Sequence, residues 1–249
     1  MLTIESISFS YGKRSALSAI SAEAGAGRVV ALVGRNGSGK STLLRLIAGL
    51  ANPNGGAITW RNTALCRLDA ILRARQVAYV AQRPGLAIDL TVSQVIELGR
   101  FAAQRRDDGA LRLSRAIKTL GLESLSERSF HQLSAGEQQR CVVARALVQS
   151  DASGLLALDE PFSNLDPGET MRVVDALRER AREGALVVIA MHDLSLVDRV
   201  ADCVWWLERG TMVGMGAPEE ILTPTRLREV FGCEFTRGAQ GLTLGGRVA

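Results

Sequence analysis

The 249-residue chain has no run of eighteen successive apolar residues, so no segment has the length and composition of a membrane-crossing helix. Its opening, MLTIESISF, lacks the basic stretch and apolar run of a secretory signal, and the expected location is the cytoplasm. It has no C-x-x-C pair. Cys66, Cys141, Cys203 and Cys233 are widely spaced, which argues against a zinc site and a disulfide framework and makes free buried thiols the expectation. Concentrated charge is absent too: 30 basic and 26 acidic residues are interspersed, for a net charge of +4. With a pI near 9.2 the surface is mildly basic, without the stripe that binds nucleic acid, and short runs at 73–75 and 105–106 read as solvated faces. No internal repeat or low-complexity linker divides the chain. What is there is 47% apolar residue and 22% charge, with a mean hydropathy of +0.10, enough for a sizeable core in one large domain or two lobes and too apolar for disorder.

Apolar runs bounded by turn residues at 29–33, 77–80, 155–158 and 186–190 read as buried strands of a largely parallel sheet. Between them lie helical patterns, the first over 40–50, with Leu43, Leu44, Ile47 and Leu50 at helical spacing. The partly alternating LTIESISFSY reads as a strand at the edge of an antiparallel layer. From 91 to 149 the pattern is helical at 92–100, 111–120 and 135–149, as in a helical lobe inserted into an α/β core. Beyond the core, CVWWLERGTMVGMG reads as a hairpin turning at Arg209 and Gly210. TPTRLREVFG reads as a helix capped by Thr223, with Pro224 first and Gly232 closing.

GRNGSGKS, which is Gly34, Arg35, Asn36, Gly37, Ser38, Gly39, Lys40 and Ser41, fits G-x-x-x-x-G-K-[ST] between a strand and a helix, with Thr42 next. Glycines let backbone amides turn toward phosphates, the helix amino end adds a favourable dipole, Lys40 meets the β and γ charges, and Ser41 offers an oxygen to Mg²⁺. A glycine turn with a chance lysine is the alternative. LLALDE places Asp159 and Glu160 after an apolar strand, beside the loop if the two strands are neighbours. Asp159 suits Mg²⁺ through a bound water, and Glu160 suits orienting or deprotonating the attacking water; alone, the pair reads equally as acidic residues at a helix amino end.

LSAGEQQR, residues 133–140, lies between these motifs and resembles the signature sequence of ABC-type ATPases. Ser134 offers a hydroxyl, Gly136 permits close backbone approach, and a helix starting here points its amino end at an anion. The resemblance runs from Tyr11 to Gly232. It implies an α/β P-loop NTPase (RecA-like) core with a mostly parallel sheet, an N-terminal antiparallel β layer and an inserted helical subdomain. The division is about 1–84 and 151–216 for the core lobe, 85–150 for the helical subdomain and 217–249 for a C-terminal extension, all in one domain. By the same resemblance Gln82 is a Mg²⁺-ligating loop glutamine, His192 contacts the γ-phosphate and helps hold Glu160, and Tyr11 stacks on adenine. Ser134, Ala135, Gly136, Glu137 and Asp166 act in trans on the ATP of a second copy in a head-to-tail dimer. Ala135 and Glu137 are familiar variants of the signature; SDASG at 150–154, before the acidic strand, is unusual in the family, where a short proline-containing turn is commoner.

A single cassette without a membrane segment resembles the separate ATPase subunit of a bacterial transporter. Two copies would dock beneath two membrane-spanning permease subunits through the helical lobe, around 83–91, on the cytoplasmic face of the inner membrane. DLTVSQVIELGR and GAPEEILTPTRLREVFG look like the importers of iron-siderophore complexes, haem or cobalamin, whose complete systems add a periplasmic or lipoprotein substrate-binding protein; import of another small solute or metal ion is the alternative. A further alternative is a soluble ABC-type protein acting on ribosomes or DNA, but such families usually carry two cassettes or a long coiled-coil insertion, and neither is seen here. A P-loop kinase or GTPase leaves 134–138 without a role.

Overall fold

The computed structural model describes residues 1–82, 85, 88–102, 109–150, 153–238 and 241–247. The chain begins with β1 (Leu2–Tyr11), β2 (Arg14–Ala24) and β3 (Val29–Val33), enters α1 (Lys40–Ile47), and continues through β4 (Gly55–Trp60), β5 (Thr63–Ala64), α2 (Ala70–Gln76) and β6 (Val77–Val80). The helices α3 (Val92–Glu97), α4 (Gly109–Thr119) and α5 (Ala135–Gln149) follow. Next come β7 (Leu155–Asp159), α6 (Pro167–Arg182), β8 (Leu186–Ala190), α7 (Val197–Val200), β9 (Cys203–Glu208) and β10 (Thr211–Gly216). The chain ends with α8 (Pro218–Ile221), α9 (Pro224–Phe231), β11 (Cys233–Gly238) and β12 (Gly241–Arg247).

Six strands form the central sheet in the order β10-β9-β3-β8-β7-β6, with every neighbouring pair parallel except β10 on β9. Strands β3, β7 and β8 are buried on both faces, which is why they read as continuous apolar runs. Successive side chains divide between two cores. Val30, Leu32, Val188 and Trp205 pack toward α1 and the antiparallel layer, and Val29, Ala31, Val187 and Leu156 pack toward the α5 and α6 side. Among the described residues between β6 and β7 the structure is helical and turn-like, apart from a single bridge between Thr91 and Ser129. Both capped ends expected near the C-terminus form: Thr223 caps α9, and Gly232 closes it with φ +67°.

Three expectations are corrected. The first strand is internal, because the second layer has the order β2-β1-β4-β5 and β4 covers the side taken for an edge. β4, GGAITW, has too little alternation to announce itself. Second, β3 and β7 are not neighbours, since β8 lies between them. Third, the thiols are free but not all buried: Cys66 is exposed, Cys203 and Cys233 are intermediate, and only Cys141 is buried. The β11–β12 hairpin was not foreseen at all. It is tied down by Asp198, whose carboxylate pairs with Arg237 at 2.7 Å and accepts the Leu242 amide at 2.9 Å.

The unusual segment at 150–154 is described in part, Asp151 and Ala152 lying outside the described residues. The Ser150 carbonyl accepts from Arg180 at 2.8 Å and from Arg112, so α4 and α6 meet the end of α5 there. The Ser153 carbonyl accepts from Arg61 at 2.7 Å. Burial pushes the Cys141 thiol up to about 12. A thiol reagent at pH 8 should therefore modify Cys66 rapidly and Cys141 only on unfolding; fast labelling of Cys141 in native protein, read by peptide mass, would contradict this packing.

Candidate nucleotide site

The central sheet sets the site by register. Leu32 on β3 and Asp159 on β7 both pair with Ala190 on β8, so the three strands end level with one another. The Glu160 amide donates to the Ala190 carbonyl at 3.1 Å, and the Met191 amide donates to the Leu32 carbonyl at 3.1 Å. Gly34, Glu160 and His192 consequently leave the same edge of the sheet, and Gln82 joins them from the end of β6. Asp159 reaches the loop across β8, because α1 lies over both β8 and β7 and Ala190 has only a methyl group at that level.

The loop conformation explains its glycines. At Gly34, φ is +145° and a Cβ would sit 2.1 Å from the Leu207 carbonyl oxygen; at Gly39, φ is +106° and a Cβ would meet a Leu17 methyl at 2.6 Å. No other residue fits either place. From outside, the Arg209–Gly210 turn braces the loop, the Gly210 amide donating to the Ser38 carbonyl at 3.0 Å. Lys40 is buried and its ammonium donates to the Gly34 and Arg35 carbonyls at 2.8 and 3.1 Å. Desolvation lowers its pKa, against the opposing pull of Glu160 and Asp159. A cation so placed gains from any anion that enters.

Asp159 is almost fully buried. Burial raises its pKa, against the hydrogen bond from Ser41 and the charge of Lys40, and Oδ1 has no hydrogen-bond partner. Glu160 has φ +53°, a left-handed conformation that costs energy for a residue with a Cβ. Its carboxylate is held by His192, the expected partner, whose Nε2 contacts Oε1, and by Gln82, which was expected at Mg²⁺ and here donates from Nε2 to Oε2 at 2.8 Å. Tyr11 is 48% exposed at the other end, its ring edge-on to Phe9 at 4.9 Å and its hydroxyl accepting from Arg45 at 3.4 Å.

A cleft of about 840 Å³ collects these groups, running between Tyr11, Asn36, Gly37, Lys40, Ser41 and Thr42 on one side and Gln82, Glu160 and His192 on the other. Ser134, Ala135, Gly136, Glu137 and Asp166 do not line it. They sit at two other helix starts. Ser134 caps α5 and Asp166 caps α6, each in a reciprocal box with Glu137 or Glu169. Ser134 is thus a helix cap in its own chain: its oxygen accepts from the Glu137 amide at 3.3 Å, and its hydroxyl and backbone amide both hydrogen-bond to the Glu137 carboxylate. Sequence reasoning missed Arg14 and Arg209, which also line the cleft; no motif marks them, and only the approach of β2 and the β9–β10 turn to the loop brings them there.

A larger set of known proteins has this pattern. The family described as ABC transporter matches residues 17–163. The hemin import ATP-binding protein HmuV of Bordetella bronchiseptica is 35% identical over 94% of this chain and 92% of its own length. HmuV of Jannaschia sp. is 36% identical over 94% of this chain and 88% of its own. Among solved structures, the ATP-binding subunit of an ABC transporter is 26% identical with a TM-score of 0.81, covering 94% of this chain and 95% of that one. An ATP-binding cassette solved as a dimer in a post-hydrolysis state with ADP and Pi is 25% identical with a TM-score of 0.78, covering 88% of this chain and 99% of that one.

The cleft's electrostatics give a test. Arg209→Ala should weaken ATP and ADP binding alike, by about three- to tenfold at low salt and less at high salt, because an exposed cation acts through a screened field. Titration with a fluorescent nucleotide at two ionic strengths checks it, and an unchanged affinity at low salt would contradict it.

Proposed function

The chain belongs to the ABC transporter family as an ATP-binding subunit with ATPase activity coupled to transport, and on that basis we propose that it energises a bacterial importer of haem. The observation that carries the catalytic part is the Glu160 carboxylate, held by Gln82 and His192 at the end of a cleft that begins at Tyr11. The cargo rests on the relatives named for hemin import, at 33 to 36% identity over nearly the whole chain.

In this reading adenine stacks on Tyr11, the phosphates lie over residues 34–42, and Lys40 exchanges its loop carbonyls for phosphate oxygens. Glu160 orients the attacking water and accepts its proton. The new P–O bond forms at the γ-phosphorus as the bond to the β-phosphate oxygen breaks, releasing ADP and phosphate. Gln82 and His192 keep the carboxylate aimed. The buried Asp159 carboxylate, hydrogen-bonded to Ser41 and with Oδ1 partnerless, fits Mg²⁺, which Ser41 and Gln82 would hold together with Asp159 acting through water. Mg²⁺ would neutralise phosphate charge.

Ser134, Ala135, Gly136, Glu137 and Asp166 serve the nucleotide of a second copy, each chain completing the other's site in a head-to-tail dimer. ATP then closes the dimer because it binds the closed form more tightly than the open one, and hydrolysis reopens it. The helical subdomain at about 85–150 docks on two permease subunits, with the core lobe at about 1–84 and 151–216 and an extension at 217–249. Within the proposed dock, Arg83, Pro84, Leu86 and Ala87 lie outside the described residues. Among the described residues no helix is long and apolar enough to cross a membrane. In this reading the chain is held at the inner face of the membrane by the permease. A periplasmic or lipoprotein binding protein delivers the cargo.

Glu160→Gln keeps the shape of the side chain and removes its basicity. Hydrolysis should fall by about a hundredfold or more while ATP affinity stays within about twofold, measured as phosphate release and nucleotide titration. Unchanged turnover would remove Glu160 from its role.

A further inference from the structure

The starts of α5 and α6, assigned above to a partner's nucleotide, touch one another within a single chain. A Cβ on Gly136 would lie 2.6 Å from the Asn164 carbonyl oxygen and 3.3 Å from Glu169 Oε2. The two backbones meet with no room for a side chain. Asn164 itself has φ +63°, which turns the chain into the Asp166 cap.

Glu169 serves both helices. Its Oε2 accepts the Asp166 amide at 3.3 Å, closing the cap of α6, while Oε1 pairs with Arg140 Nη2 at 2.7 Å. Arg140, the last residue of the 133–140 signature, lies in α5 and is 7% exposed. Its other terminal nitrogen donates to the Leu120 and Gly121 carbonyls at 2.8 and 3.1 Å, at the end of α4. A guanidinium desolvated this far needs a carboxylate, and a charge-assisted bond in such a place is strong and directional.

We propose that Glu169 is a positioning residue: through Arg140 it locks the Ser134–Gly136 and Asp166 segments into one rigid surface, so that a partner's ATP meets both together. The inference rests on the head-to-tail dimer of the preceding reading. A simple strut between helical lobe and core is a weaker account of the pair, because Arg115 already joins α4 to α6 through Glu179 at 2.6 Å and Glu183 at 3.2 Å. Glu169 lies instead at the edge of the two helix starts, where a small rotation moves both trans-acting segments.

The test uses the full chain in the Glu160→Gln background, which binds ATP without consuming it. Glu169→Gln retains an acceptor for the Asp166 amide and removes the charge opposite Arg140. The ATP concentration needed for dimer formation, read by sedimentation velocity, should rise about tenfold, with single-chain ATP affinity at low protein concentration unchanged. Glu169→Asp, which restores the charge on a shorter side chain, should recover part of the loss. Dimerisation equal to the parent's would overturn the inference, and so would an equal loss of single-chain affinity, which marks a general structural defect. A Glu160→Gln parent that stays monomeric with ATP would overturn the dimer reading and this inference with it.

Discussion

The nucleotide edge depends on one constraint, the level ending of parallel strands whose ladder bonds run from Leu32 through Ala190 to Asp159. Those bonds fix relative height, so the phosphate loop, the Asp159–Glu160 pair and His192 emerge at one level, and the contacts of His192 with Glu160 and of Ser41 with Asp159 join groups already aligned. The ladder extends one residue past the strands through the Glu160 amide and the Ala190 carbonyl, at 3.1 Å. That bond helps hold Glu160 in its left-handed conformation, where Gln82 and His192 reach both carboxylate oxygens. Strain at this position is offset by a rigid sheet behind it.

The electrostatics run the same way. Lys40 and Asp159 are both buried, and desolvation moves each pKa toward its neutral form. Taken alone such a pair weakens the fold. Anionic phosphate beside Lys40 relieves its penalty, and the proposed divalent cation would relieve that of Asp159, so ligand binding gains from a site that the empty protein holds at a cost.

Much of this was legible in sequence because its chemistry is local. A strand, a glycine loop and a helix occupy consecutive residues, as do the helix start at Ser134 and the turn at Arg209 and Gly210. What stayed hidden was non-local. The insertion of β8 between β3 and β7 is a matter of strand order, which no periodicity encodes. β1 became internal only because the weakly patterned β4 returns to it. Arg14 and Arg209 belong to no motif and carry no signal except their final position in the cleft. The Arg140–Glu169 pair spans two segments that were each read separately, so its consequence required coordinates.

The central claim is that one chain holds half a site: the cleft that contains Lys40, Gln82, Glu160 and His192 contains none of Ser134, Gly136 or Asp166. Specific ATPase activity as a function of protein concentration tests it most directly, with sedimentation run on the same samples. Activity per chain should rise with concentration in step with the dimer fraction, and a full rate in samples that sediment as monomer would contradict the account.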